Sequence, residues 1–377
     1  MRILLTGGGT GGHLYPLVAV TRALKQIAEK EKITDFRLFF IGPNGNSKQV
    51  IQEEGVKAFT IRTGKIRRYW SLLNFVDLFK TLRSVLRVIW KLFWLYPDVV
   101  FSKGGYGSFP VVVACRLLRV PLIIHESDVT PNISNRFAKK FAKRIALSFA
   151  ETKKYFPAGK IALTGNPIRR EIIGGDKEVA ATLFDLGGVK PVILILGGSQ
   201  GSERINEIII QSLKRLVKIA EIIHQTGELN FKDVRAEGMV ELHDLEENEQ
   251  KRWHPYSFLD EDKMASALLV SDLIISRAGG GGIFEIAASA KPSILVPLGG
   301  AAQEHQRANA YAYARTGAAT VIEETNLTPN LLLVEIEKIL NNAERSQEMS
   351  RKAKEFSRMD AAETIAREII NVAYTHK

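Results

Sequence analysis

The sequence predicts an α/β protein built from two doubly wound parallel-sheet domains. Three observations carry that expectation. Short apolar runs alternate with helical patterns along most of the 377 residues. Several of those runs end in glycines, and strand–glycine–helix cycles mean a parallel sheet covered by helices on both faces. The cycle then restarts after Asn166, and a chain of this length is too long for one ordinary core and suits two.

The first cycle reads as a strand at 2–6 (RILLT), a helix at 14–28 and a strand at 36–42. Strands at 98–105 and 121–127 follow, with a helix at 110–118 between them. The second cycle has a strand at 191–201 running into glycines and a helix at 204–219. Strands at 220–227 and 272–280, a helix at 283–289 and a strand at 293–297 complete it. Glycine and proline in TGNPIRR (164–170) break the periodicity and mark the joint. The expected domains are 1–164 and 165–347, with a C-terminal helix at about 348–377 packing back near the first.

Composition narrows the class. A hydrophobic fraction of 45% and a charged fraction of 25% describe a folded chain, not a disordered one. The single cysteine, Cys115, excludes an intramolecular disulfide and fits a reducing compartment. The start does not read as a secretory signal, since its apolar run is only Ile3, Leu4 and Leu5 before glycines intervene. No uninterrupted apolar run is long enough for a membrane span; the greasiest region, 85–101, is broken by Arg87, Lys91, Pro97 and Asp98. The formal net charge of +11 implies an anionic partner: nucleic acid, an anionic membrane or a phosphorylated substrate.

The glycines are the most informative feature. GGGTGG at 7–12 joins a buried strand to a helix start and is followed at once by His13. Backbone without Cβ atoms admits a ligand closely, and a helix N-terminus offers unpaired N–H groups to an anion. The pattern fits a dinucleotide fingerprint, but that reading wants an acidic residue at the end of the second strand. Here the strand ends in Phe40, Ile41, Gly42 and Pro43. Further glycine loops stand at 104–107, 197–201 and 279–282, each after a strand. Ligands of open α/β sheets bind beyond the carboxyl ends of the strands. Loops in both halves therefore predict two Rossmann-like domains with an interdomain cleft, and an enzyme that joins two substrates.

With those loops in place, the chain resembles the MurG family of glycosyltransferases, which move N-acetylglucosamine (GlcNAc) from UDP-GlcNAc to the muramyl sugar of an undecaprenyl-diphosphate-linked peptide. The resemblance runs through GGGTGGHLYP (7–16), SKGGYGSFP (102–110), HESDVTPNISNR (125–136), TGNPIRR (164–170), GGSQGS (197–202), SRAGGGGIFEI (276–286) and HQRANA (305–310). It implies a fold of the GT-B type, with the lipid acceptor on the N-terminal domain and UDP-GlcNAc on the C-terminal one. It implies that Thr10, Gly11 and Gly12 face the transferred sugar or its diphosphate. Ser199, with backbone help from Gln200, would bind the diphosphate, and Arg169, beside Asn166, would clamp it. Leu259 would meet uracil through its backbone, Glu285 the ribose hydroxyls and Gln306 the sugar hydroxyls, with Gly280, Gly281 and Gly282 lining the donor. The sequence departs from the family at Ser127 and Asp128, where some relatives carry Asn, and at His305, which replaces a second glutamine. No cofactor is implied.

The chemistry sets its own demands. An α-linked UDP-sugar becomes a β-linked product by one in-line displacement, which needs a base on the acceptor hydroxyl and stabilisation of the departing diphosphate. Glycine loops at helix N-termini supply the second without a metal. His13 and Glu126 are the two candidate bases: an imidazole titrates near neutrality, and the carboxylate stands at a strand end. The DED run at 260–262 has the shape of a metal motif, but it precedes a helix start near Lys263, where acidic caps belong.

The stretch 62–96 holds eight Lys and Arg against one acid, Asp77. Leu72, Phe75, Phe79, Leu82, Leu86, Ile89 and Phe93 recur at helical spacing, the expectation being that sheet packing accounts for much of that face. Trp70, Trp90 and Trp94 with flanking cations also suit a bilayer interface. The expected partner is the anionic inner leaflet, with the protein peripheral on the cytoplasmic face of the plasma membrane, and not nucleic acid, for which no motif is present. Two other classes stay open: a second kind of GT-B enzyme, such as a UDP-sugar epimerase, and a non-catalytic sugar-nucleotide-binding module.

Overall fold

The computed structural model describes residues 1–8, 11–61, 73–198, 200–300 and 304–375. The chain forms two compact units: Met1–Arg169 with Arg358–Lys377, and Arg170–Ser357.

The first unit carries β1 (Arg2–Thr6), β2 (Arg37–Pro43), β3 (Lys57–Ile61), β4 (Val99–Ser102), β5 (Leu122–Glu126), β6 (Arg144–Leu147) and β7 (Ile161–Leu163). They pair in the order β3-β2-β1-β4-β5-β6-β7, all parallel. The second unit carries β8 (Val192–Leu196), β9 (Glu221–Gln225), β10 (Trp253–Tyr256), β11 (Leu273–Ser276), β12 (Ser293–Leu295) and β13 (Ala319–Val321). Their order is β10-β9-β8-β11-β12-β13, again parallel. Helices lie against both faces, which is why Ile3, Leu4 and Leu5 of β1 are all buried, as is every residue of β5, β8 and β9.

In each sheet the strand order reverses once, between β1 and β4 and between β8 and β11. Register puts Thr6 beside Ser102 and Leu196 beside Ser276. The loops that follow thus leave each sheet side by side at its topological switch point, where such folds bind ligands.

The strands expected from sequence are present with ends moved by a few residues. The short β3, β6, β7, β10 and β13 have no counterpart in the sequence reading. RIAL, IAL and ATV are too brief for alternation to register, and WHPY carries a proline. The single helix expected at about 348–377 is instead two, Ala343–Phe356 and Ala361–Thr375. Ser357 ends the first in an extended conformation, and the chain passes there from the second unit to the first. The helix Ala361–Thr375 then lies on the helix Gly11–Lys30, feeding Ile365, Ala366, Ile369, Ile370 and Ala373 into the core around β1.

The basic stretch needs a correction. Part of it forms the helix Leu73–Leu95, which packs on the helix Phe109–Leu118, with Val88 and Leu92 in the shared core. Leu82 and Leu86 of the expected stripe face outward, as do Phe93 (66% exposed), Trp90 (66%) and Trp94 (67%). Ile89 of the stripe does pack against this core, but apolar residues surround the helix on most sides, so periodicity alone drew a face that coincides with the packed one only in part; the side chains of Phe75 and Phe79 lie outside the described ones. Lys91 lies with its Nζ 3.7 Å from the centre of the Phe59 ring. Arg67, Arg68, Trp70 and Leu72 lie outside the described residues.

Ile369→Ala is expected to cost the first unit about 2–5 kcal/mol, the range for truncating a buried aliphatic side chain. Urea unfolding followed by hydrogen exchange checks it: amides of β1 and β2 should lose protection while those of β8 and β9 keep theirs.

Candidate functional site

At the first switch point, Gly11, Gly12 and His13 form the opening turn of the helix Gly11–Lys30, where N–H groups have no intrahelical acceptor. Pro16, in the same helix, has no N–H to give the carbonyl of Gly12. His13 is half-buried, and a Cβ placed on Gly105 would stand 3.4 Å from its Cδ2 and Nε2. The loop after β4 therefore runs directly against the imidazole. Thr10 lies outside the described residues.

Glu126 ends β5 and is fully buried. Its Oε2 accepts from the backbone N–H of Asn132 (3.0 Å), the Asn132 side chain (3.0 Å) and the Asn135 side chain (2.9 Å). Its Oε1 accepts from the backbone N–H of Asp128 (3.2 Å). One carboxylate thus gathers the whole loop from Asp128 to the helix Ile133–Ala138, whose N-cap is Asn132. Burial, with the nearby Asp128 charge, raises its pKa to about 7 against the pull of those N–H groups and of Lys103. Lys103, just after β4, is fully buried, and burial lowers its pKa to about 8 against the attraction of Glu126 and Asp128.

His125 precedes Glu126. Its Nε2 lies 3.0 Å from the Gly165 carbonyl, so this nitrogen carries the proton and ties the end of β5 to the segment after β7. Burial, then the Lys103 charge, holds the imidazole neutral, well below its ordinary pKa. Asn166 follows, almost fully buried, and neither atom of its amide has a hydrogen-bond partner among the described residues. An orphaned buried amide in a native fold calls for an explanation, and a ligand is one. The Arg169 guanidinium lies 3.9 Å from the centre of the Tyr15 ring, which stacks it over the helix that begins with the glycine loop.

At the second switch point, the loop after β8 leads into the helix Glu203–Ile219, capped by the Ser202 side chain on the N–H of Ile205 (3.3 Å). Gln200 is exposed, and Ser199 lies outside the described residues. Gly201 has φ +79°, and a Cβ there would strike the Thr226 carbonyl and the Asn230 side chain. Opposite, Gly280, Gly281 and Gly282 open the helix Gly280–Ala288, whose N-cap, Gly279, offers no side chain to its N–H groups. Glu285 is half-buried in that helix. The half-buried Gln306 accepts from the N–H of Leu298 through Oε1 (3.1 Å), and His305 beside it is also half-buried. Leu259 is buried, and its N–H donates to Gln225 Oε1 (3.1 Å).

Each unit thus assembles its own set. His13, Glu126, Asn166 and Arg169 belong to the first, while Gln200, Leu259, the glycine run, Glu285 and Gln306 belong to the second. Asp260 caps the helix Glu261–Val270 by accepting from the N–H of Lys263 (2.9 Å), as expected for the DED run.

Three residues were missed by sequence reasoning. Gln225 bridges the Gly198 carbonyl (3.2 Å) to Leu259, and its only signal was a polar residue closing an apolar strand. Arg277, after β11, donates to Ser202 Oγ (2.5 Å) and the Val296 carbonyl (3.2 Å) and pairs with Glu324. Burial works against the Glu324 charge, yet Arg277 and the Gly299 N–H hold its pKa below the ordinary value. Lys103 is the third; its signal was a lysine straight after a run of buried strand residues.

Comparison with known proteins follows this division. Residues 3–147 match the glycosyltransferase family 28 N-terminal domain and residues 192–365 the family 28 C-terminal domain. A UDP-N-acetylglucosamine–N-acetylmuramyl-(pentapeptide) pyrophosphoryl-undecaprenol N-acetylglucosamine transferase of Bacillus anthracis is 36% identical over 345 residues, 91% of this chain and 92% of that one. The crystal structure of Acinetobacter baumannii MurG superposes with a TM-score of 0.73 at 26% identity, covering 98% of this chain and 99% of that one. A structure described as a putative UDP-N-acetylglucosamine 2-epimerase of Listeria monocytogenes reaches a TM-score of 0.70 at 16% identity over 100% of this chain and 96% of that one, a likeness of fold alone.

Gly201→Ala is expected to destabilise the second unit by more than about 2 kcal/mol, since left-handed backbone strain of about 1–2 kcal/mol adds to a clash with a backbone carbonyl. Thermal melting of the variant, with hydrogen exchange at β8 and β9 to locate the loss, checks it.

Proposed function

This chain belongs to the MurG family of glycosyltransferase family 28, and on that premise we propose that it transfers GlcNAc from UDP-GlcNAc to the muramyl sugar of undecaprenyl-diphosphate-linked muramyl-pentapeptide, making the lipid-linked disaccharide precursor of peptidoglycan. The observation that carries the reading is identity to transferases of that name along 91% of the chain, with the motif residues standing at the strand ends where the fold binds ligands. The second unit would hold UDP-GlcNAc: the open N-terminus of the helix Gly280–Ala288 suits a diphosphate, and Glu285 suits the ribose hydroxyls. Gln306 would orient the sugar, while Ser199 and Gln200 would face the diphosphate. Uracil at Leu259 would take over the N–H now given to Gln225. The first unit would hold the acceptor at Gly11 and Gly12, with Asn166 and Arg169 reaching the ligand.

The reaction inverts the anomeric centre in one displacement: the acceptor oxygen bonds to C1 of GlcNAc, the C1–oxygen bond to UDP breaks, and UDP leaves with the electron pair. The acceptor proton goes to a base. A pKa of about 7 would suit Glu126, but both its oxygens already accept N–H groups within the fold. Geometry takes precedence over titration here. His13, at the mouth of the glycine loop, is the base, and Glu126 is the anchor of the loop beside it.

The outward face of the helix Leu73–Leu95 would rest on the inner leaflet, at the cytoplasmic side where UDP-sugars are made. Leu86, Trp90, Phe93 and Trp94 present apolar surface, with Arg83 and Arg87 exposed beside them. No described helix is long and apolar enough to cross a membrane.

Radiolabel from UDP-GlcNAc should appear in organic-extractable lipid; its appearance only as free epimerised nucleotide sugar would overturn the transferase reading. In the same assay His13→Ala should lower kcat by about 10²–10⁴ with little change in donor KM. Glu126→Ala retaining a folded loop and losing all turnover, with His13→Ala active, would reverse the two roles.

Vesicle flotation tests the surface. Trp90→Ser with Trp94→Ser, and separately Arg83→Gln with Arg87→Gln, should each weaken binding to anionic vesicles. Salt should weaken it for the parent protein, since each basic residue near such a surface is worth about 1 kcal/mol.

A further inference from the structure

Lys103 is a fully buried ammonium, and its Nζ has no hydrogen-bond partner among the described residues. Burying an ammonium is costly unless an opposite charge compensates it. It follows β4 directly: its own N–H donates to the Thr6 carbonyl (2.9 Å). A Cβ on Gly7 would stand 2.9 Å from the Lys103 Cβ, so the first glycine loop is pressed onto its stem. On the other side, a Cβ on Gly104 would meet the amide nitrogens of Asn132 (2.6 Å) and Asn135 (3.0 Å), two groups that hold Glu126. Lys103 therefore sits at the seam between the loop that carries His13 and the loop that Glu126 organises.

The charged and titratable groups acting here come from each neighbouring element. Glu126 and Asp128 lie at and after the end of β5 and act on Lys103; Lys103 in turn acts on His125, within β5, as does His13 from the helix Gly11–Lys30. The N–H groups of Asp128, Asn132 and Asn135 bond Glu126, while Lys103 Nζ has no hydrogen-bond partner among the described residues. The lysine reaches the carboxylate through space.

We propose that Lys103 is a positioning residue for the transfer reaction: its buried ammonium, at the seam of the two loops, favours the ionised Glu126 carboxylate that gathers the N–H groups of residues 128–135 and holds the loop beside His13. A protonated Glu126 would have one oxygen carrying hydrogen and would lose acceptor capacity for those N–H groups. The loop would then slacken as pH falls through the Glu126 titration. The shifts agree in sign, for Glu126 is raised to about 7 with Lys103 lowering it, and removing that cation moves the midpoint higher.

The activity part of the test rests on the transferase reading; the titration part does not. Difference infrared spectroscopy follows the protonated carboxyl band against pH, and Glu126→Gln identifies it by its loss. In Lys103→Met the midpoint should rise by up to about 1 pH unit, the low end of the effect of a nearby opposite charge. The acid limb of kcat/KM should move with it, while Lys103→Arg should restore the parent values. Should Lys103→Met fail to fold, Lys103→Gln and Asp128→Asn serve, the first raising the midpoint and the second lowering it. An unmoved midpoint in a folded charge-removing variant overturns the proposal, whether or not the parent transfers sugar. So does a Lys103→Met variant that loses acceptor affinity equally at all pH values, because Lys103 would then be a substrate ligand.

Discussion

Four N–H groups of the described residues converge on the Glu126 carboxylate, and the shape of the loops at the carboxyl end of β5 hangs from that convergence. A carboxylate buried at the end of a parallel strand is costly unless hydrogen-bonded, and this one draws its donors from the chain that follows. The chain complies by folding back over residues 128–135, which sets Asn132 as a cap and Asn135 on the His125 carbonyl. The glycine after Lys103 leaves room for those two amides. The second unit solves the same problem with a guanidinium: Arg277 draws in Ser202, Val296 and Glu324 at the end of β11. In both, one buried charge gives the strand end a fixed shape from which uncharged glycine backbone can face a ligand.

The architecture was largely legible because its signal is redundant. A strand buried on both faces must be a continuous apolar run, and the turn to a covering helix where a ligand approaches favours glycine; RILLT before the glycines of 7–12 and VILIL before those of 197–201 state this twice. The edge strands were not legible, since three or four residues with polar flanks carry no period. The packed face of the helix Leu73–Leu95 was only partly legible for the opposite reason, an excess of apolar residues: Trp90 and Trp94 are exposed and Ile89 packs, but Leu82, Leu86 and Phe93 face outward. Which of them pack was decided by Val111, Val112, Ala114 and Cys115 on the neighbouring helix, information that is not local to the segment.

The candidate site offered a signal in the sequence where glycine backbone marks a strand end and none where side chains brace one another. His13, Glu126 and Glu285 could be singled out beside glycine motifs. Gln225, Arg277 and Lys103 act on groups far from them in sequence: Gln225 on Leu259, Arg277 on Glu324, Lys103 on Glu126. A single sequence does not announce such pairings, because each partner taken alone is an ordinary polar residue. Asn166 shows the converse, since a motif named it and the structure leaves its amide without a partner among the described residues.

The helix Ala361–Thr375 completes the core of the first unit, yet the ribosome makes it only after the whole of the second unit. Sheet strands β1 to β7 emerge early, and the side of β1 that Ile365 and Ile369 cover stays open while the entire second unit is synthesised. At a synthesis rate of about 5–20 residues per second, that interval is on the order of ten seconds or longer. During it the nascent first unit exposes apolar surface around β1 that the helix Ala361–Thr375 later covers. The second unit, contiguous in sequence, has no such wait and can close as soon as it clears the exit tunnel. The order of synthesis therefore runs against the order in which the two cores can be completed, and the half made first is the one whose apolar side waits longer for its cover.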